Sequence, residues 1–214
     1  MQLPARVVLI TGASRGIGAE VARQLASPDT HVIVNYREKT KQANAVVKAI
    51  RNAGGSATAL AADISDDVEV EAMMQYVTAH FGRLDALILN ASGGLEMRLN
   101  RDAQRRLVTQ AMPLMPTGSR IVFVTSHQAH FYPNKAVPKG YAGVAASKRA
   151  GETALYAMRS ELDHAGIHVT VASADETSIV PIEEFATTIV TAAVTANPST
   201  IVYSGGADYL MTVA

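Results

Sequence analysis

The chain has 214 residues, 48% hydrophobic and 18% charged, with 19 basic residues against 19 acidic ones and no cysteine. That length suits one well-filled α/β domain rather than two, the charge balance offers no field for nucleic acid or a membrane surface, and the lack of thiols excludes a disulfide frame or a zinc–thiolate site. No apolar run reaches the ~20 residues of a membrane span, and MQLPARVVLITG enters its first apolar run too directly for a signal peptide, so a cytoplasmic protein that engages neither nucleic acid nor membrane is expected.

Val7 to Ile10 is an unbroken branched run, the mark of a strand buried on both faces. Gly12, Gly16 and Gly18 follow at once, and a helical pattern opens through Ala19, Val21, Ala22 and Leu25. A strand, a glycine turn and a helix start form a phosphate cradle. Glycine lets the backbone approach a pyrophosphate, and the free N–H groups at the positive end of the helix face the anion. The second strand is read at His31–Asn35, followed by a helix from Lys39 to Ala53 that stops at Gly54 and Gly55. Ser56–Ala62 gives a third strand. Asp63 to Asp67 then caps a helix whose Val70, Met73, Met74 and Val77 recur at helical spacing, with the methionines as core filler.

Leu84–Leu89 and Ile121–Thr125 are the fourth and fifth strands, with a helix ending near Met115 between them. A helix over 146–165, a strand at His168–Ala172, a helix over 182–196 and a strand at Ser199–Tyr203 complete the order before Gly205 and Gly206. This alternation implies a Rossmann-type, doubly wound parallel sheet of about seven strands in one domain spanning residues 1–214, with helices on both faces. Ligands of such sheets lie beyond the carboxyl ends of the strands. Polar and small residues gather at those ends, in Gly12–Gly18, Asn35–Arg37, Asp63–Ile64, Asn90–Ala91, Ser126 and Ala174–Thr177.

TGASRGIG resembles, residue for residue, the glycine motif of the short-chain dehydrogenase/reductase family. Later motifs extend the resemblance over nearly the whole of a shortened, divergent chain. It implies a pyridine nucleotide held by Gly12, Ser14, Arg15, Gly16, Ile17 and Gly18 and by the strand ends. Asn35, Tyr36 and Arg37 stand where an acidic residue would select a ribose diol. With Arg15 they favour NADP(H) over NAD(H), since a forked cation matches a phosphate dianion. Asp63 looks like the family residue that contacts adenine, with Ile64 packing on the ring. Asn90 and Ala91 resemble the family's N-A-G segment, with Ser92 in place of its glycine.

The same resemblance implies hydride transfer between the nicotinamide and a ketone, aldehyde or secondary alcohol. In the family a tyrosine acidified by a lysine donates the proton, a serine binds the carbonyl, and a helical asparagine supports the relay. Ser126 and Asn100 match the serine and asparagine positions; Lys148, in AASKRAGE, matches the lysine and is assigned to cofactor contact as well. The family tyrosine falls four residues before the lysine, and Val144 stands there. Tyr141, seven residues before Lys148, is the candidate acid. On a regular helix that spacing is ~10.5 Å along the axis instead of ~6 Å. Tyr141 therefore serves only if residues 139–143 stay non-helical, so that its ring folds back over Val144.

The substrate side is short, with only nine residues between Asn90 and Asn100 and ASADETSIVP where a Pro-Gly pair and covering segment are usual. An open pocket is expected. The alternative reading is a nucleotide-binding relative without turnover, acting as a sensor or partner subunit. His127 and His130 are loop-packing residues or substitute acids, without a metal-like partner set. Arg98, Arg101, Arg105 and Arg106 are read as a solvated basic face, which Glu96 and Asp102 would neutralise in part, in preference to a receiver for an acidic substrate tail. A homodimer or homotetramer is a further implication of the resemblance.

Overall fold

In the computed structural model, which describes residues 4–92, 98–175 and 180–206, seven parallel strands lie in the order β3-β2-β1-β4-β5-β6-β7. They are β1 (Arg6–Ile10), β2 (Thr30–Tyr36), β3 (Ser56–Ala61), β4 (Ala86–Leu89), β5 (Arg120–Ser126), β6 (His168–Ala174) and β7 (Ile201–Ser204). The helices are α1 (Gly16–Leu25), α2 (Thr40–Asn52), α3 (Asp67–Phe81), α4 (Gln104–Ala111), α5 (His127–His130), α6 (Ala142–Ala157), α7 (Arg159–His164) and α8 (Ile182–Val194), with a π-helical turn at Arg98–Ala103 leading into α4.

Alternation along each strand feeds two cores. Val8, Ile10, Val32, Val34, Ile88 and Val122 pack with α1, α2 and α8 on one face. Val7, Leu9, Ile33, Leu87, Ile121 and Phe123 pack with α3, α4, α6 and α7 on the other. Both sets are buried, which is why the central strands read as continuous apolar runs. Met73, Met74 and Val77 lie in the second core, as their spacing predicts. Asp66 caps α3 by accepting from the N–H groups of Val68 and Glu69 at 2.9 and 3.1 Å, and Gly82 ends the helix at φ +66°.

Three differences from the sequence expectation bear on the site. The helix expected over 146–165 begins at Ala142 and breaks at Met158 into α6 and α7. The stretch after Ser126, read as loop, turns into the short helix α5. The approach to α4 is a π-turn at whose Asn100 carbonyl α6 comes so near that a Cβ on Gly151 would lie 2.0 Å from the oxygen. Thr177, Glu96 and most of the two shortened segments lie outside the described residues.

Candidate functional site

At the carboxyl edge, between the ends of β1, β2, β3 and β4, a cleft of about 630 Å³ opens. That is the size of a small-molecule site. Gly12, Ser14, Arg15, Gly16, Asn35, Tyr36, Arg37, Asp63, Ile64, Asn90, Ala91 and Ser92, all singled out from the sequence, line it. Ile17 packs instead toward the α1 core, and Gly18 lies beneath Asn90.

The glycines are required by contact as well as by conformation. Gly12 and Gly16 adopt φ +63° and +56°. A Cβ on Gly12 would meet the Ala91 Cα at 3.0 Å, and one on Gly18 would meet the Asn90 amide nitrogen at 2.5 Å. Arg15 precedes α1 in extended conformation with no side-chain cap, and among the described residues no side chain accepts from the first-turn N–H groups beside the cleft. Uncapped donors, glycines that admit close approach and the flanking cations fit a nucleotide diphosphate.

Side chains brace this turn from β4. The Thr11 hydroxyl accepts from the N–H groups of Asn90 and Ala91 at 3.0 Å each and donates to the Ile88 carbonyl. The Asn90 amide donates to the carbonyls of Thr11 and Gly12 at 3.0 and 3.2 Å. Gln104, from α4, donates to the Ala91 carbonyl at 2.8 Å. Asn35 is buried, and its amide is used on backbone: it accepts from Gly12 N–H and donates to the carbonyls of Leu60 and Ala62. It ties the glycine turn to β3.

The charge pattern is richer than the sequence suggested. Lys39 joins Arg15 and Arg37 in the lining, and so does Glu38. Arg37 pairs with Glu38 at 3.3 Å and with Asp63 at 3.6 Å. Burial works to raise the Asp63 carboxyl, but hydrogen bonds from Ser65 and the charge of Arg37 outweigh it and hold the group below its ordinary range.

The second cluster lies at the end of β5. The Ser126 and Tyr141 hydroxyls are 3.4 Å apart, with Ser126 buried at the strand end and Tyr141 capping α6. Residues 142 and 143 are helical, so the condition placed on 139–143 holds only up to Tyr141. Gly140, at φ +83°, turns the chain immediately before it. Lys148 lies two turns along the same helix, half-buried. Asn100, buried in the π-turn, donates to the Ser147 hydroxyl at 2.8 Å.

Both histidines of α5 are buried and fully engaged. His127 is bonded to the Ser173 hydroxyl at 2.8 Å and the Gly205 carbonyl at 3.3 Å, and burial pushes its pKa down. His130 is bonded to Glu152 at 2.8 Å and the Tyr203 hydroxyl at 3.2 Å. Their place is packing, the first of the two roles considered. The Glu152 carboxylate is wholly buried. Burial raises it, yet donors from His130 and Tyr156 and the charge of Arg149 prevail and hold the carboxyl below its ordinary range.

In the basic cluster, Arg101 pairs with Asp102 at 2.6 Å and Arg106 reaches Asp67 of α3 at 2.9 Å. Among the described residues no helix is long and apolar enough to cross a membrane, and no group of His, Cys, Asp and Glu is placed to hold a metal. Gln104, Lys39 and Glu152 were not singled out as site residues from the sequence, and Thr11 figured only as the first residue of TGASRGIG. Glu152 carried a signal too, one turn beyond Lys148 on the same helical stripe.

The family model described as short chain dehydrogenase matches residues 6–181. A probable tetrahydroxynaphthalene reductase of Zymoseptoria tritici is 35% identical over 166 residues, 71% of this chain and 61% of that protein. The chain thus spans about three fifths of that relative's length. A metagenomic short-chain oxidoreductase solved in complex with NADP superposes with TM-score 0.81 at 25% identity, covering 94% of this chain and 97% of that one. LugOII, a promiscuous reductase that catalyses keto-reduction at C1 in lugdunomycin biosynthesis, superposes with TM-score 0.77 at 26% identity, over 89% and 90% of the two chains.

Proposed function

The chain belongs to the short-chain dehydrogenase family, and on that premise we propose that it is an NADP(H)-dependent oxidoreductase acting on a ketone, aldehyde or secondary alcohol. The observation that carries the reading is the 3.4 Å approach of the Tyr141 and Ser126 hydroxyls, despite Val144 at the usual tyrosine position. Two hydroxyls at that spacing form a cradle for one carbonyl oxygen. Ser126 donates to the oxygen and orients it, while Tyr141 gives up the proton as negative charge develops there. Lys148, two turns along the same helix instead of the family's one, would favour the tyrosinate left behind less strongly than at that spacing. Asn100 holds its π-turn against α6 through Ser147.

The glycine turn, Asp63, Ile64 and the Asn90–Ser92 edge would hold the nucleotide, with Arg15, Arg37 and Lys39 around a 2′-phosphate. When bound, the reduced nicotinamide supplies the hydride. Reductases among the relatives and an NADP complex among the structural neighbours support this assignment. A homodimer or homotetramer, to be measured by light scattering, belongs to the same proposal on the strength of the family resemblance.

The test is NADPH oxidation over a panel of aryl and alkyl ketones, with NADPH binding measured alongside. Turnover that disappears in Tyr141→Phe and survives in Tyr132→Phe supports the assignment. Nucleotide binding with no turnover on any carbonyl, unchanged in Tyr141→Phe, would replace it with a nucleotide sensor.

A further inference from the structure

Four residues are too few for a helix to hold itself, and Ser126 provides α5 with no side-chain cap. What fixes α5 is a set of polar bonds from its own side chains to three other elements. A carbonyl can only accept, so the His127 Nε2–H donates to Gly205 and Nδ1 accepts from Ser173 of β6. An ionised carboxylate can only accept, so the His130 Nδ1–H donates to Glu152 of α6; on a neutral ring Nε2 then accepts from Tyr203 of β7. Glu152 Oε1 also takes Arg149 at 2.6 Å and the Tyr156 hydroxyl at 2.8 Å. Its other oxygen, buried, has no hydrogen-bond partner among the described residues.

Tyr141 rides on the frame of α6, because its carbonyl accepts from Ala145 N–H at 2.9 Å. Glu152 lies eleven residues further, three turns and ~20° away, on the same face. The Ser126–Tyr141 separation is therefore a distance between two bodies, the β5–α5 corner and α6. The His130–Glu152 bond links those bodies directly.

We infer that Glu152 is a positioning residue: by accepting from His130 it sets how far Ser126 stands from Tyr141. This rests on the reading of that pair as the proton-donating pair. No part of it follows from the nucleotide cleft, which lies at the other half of the sheet edge.

The test labels tyrosine at Cζ with carbon-13, assigns the Tyr141 signal by its loss in Tyr141→Phe, and follows its titration beside the thermal midpoint. Glu152→Gln and His130→Asn should each shift the Tyr141 signal and move its apparent pKa by about half a unit or more. The double variant should add little to either, since both cut one link. Tyr156→Phe, which removes a donor without touching α5, should leave the Tyr141 signal in place. In the turnover assay the first two variants should lose about tenfold in kcat with KM for NADPH unchanged. If Glu152→Gln does not fold, His130→Asn decides by the same signal. An unmoved Tyr141 signal in a folded variant overturns the inference. An inactive wild type would sink the reductase reading instead, and the phenol signal would still decide this one.

Discussion

The two halves of the sheet's carboxyl edge are built on different terms. On the β1–β4 side the site is backbone: glycines at fixed positions, an uncapped helix start, and Thr11 and Asn90 bonded to main chain. On the β5–β7 side it is side chain to side chain, with Ser126 to Tyr141, His127 to Ser173 and His130 to Glu152. Backbone sites tolerate almost no substitution at the glycines. On the side-chain side Tyr141, three residues before Val144, brings its hydroxyl to 3.4 Å from that of Ser126, because the turn at Gly140 and the helix cap supply the reach.

The sharpest way to break this contrast is Tyr141→Phe. Loss of the general acid should lower kcat about a thousandfold with NADPH affinity retained, read by steady-state kinetics beside calorimetry. Equal loss in both readouts would mean the halves are not separable.

Gly18→Ala attacks the other side. Its Cβ must displace the Asn90 amide, which forfeits two hydrogen bonds and crowds the turn, so NADPH binding should weaken roughly a hundredfold. Unchanged affinity would show that the cradle is looser than its contacts imply. Arg37→Ala should cost about tenfold in NADPH affinity and leave NADH alone, since the exposed guanidinium already spends part of its charge on Glu38 and Asp63. Equal losses for both nucleotides would remove Arg37 from phosphate selection.

The smallest effect belongs to His31, at the opposite edge of the sheet, bonded to Ser56 and Thr58. Burial, with help from Arg51, pushes its pKa from 6.5 down to about 4. The fold therefore refuses a proton that the unfolded chain accepts between those values. Its contribution is complete above about pH 6.5 and is lost as pH falls toward 4. His31→Gln should flatten the decline of the melting temperature between pH 7 and 5 by about 2–4 °C. An unaltered slope would place the acid sensitivity elsewhere.

The same contrast explains what could be read from the sequence. The strands and helices one by one, and the cleft lining, follow from local patterns: branched runs, glycine spacing, caps such as Asp66. Each is a short-range consequence of chain sterics. The α5 helix, the π-turn at Asn100 and the Glu152 hub were not legible, because each is stabilised by partners 22 to 78 residues away. Asn35 was legible as a position at the cleft, whereas the inward turn of its amide onto Leu60 and Ala62 shows only in three dimensions. The closeness of Tyr141 to Ser126 was not legible, because the helix period argued against it and the turn at Gly140 supplies the approach.

The neighbours of β1 have a consequence for synthesis. β1 pairs on one side with β2 and on the other with β4, and its turn is completed by Asn90, 79 residues after Thr11. A nascent chain that stops before Ala86 can zip three strands together yet leaves a raw edge along β1. Emergence of β4 from the ribosome would thus close that edge and brace the glycine turn in a single event, so neither can be complete before residue 90 is free of the exit channel.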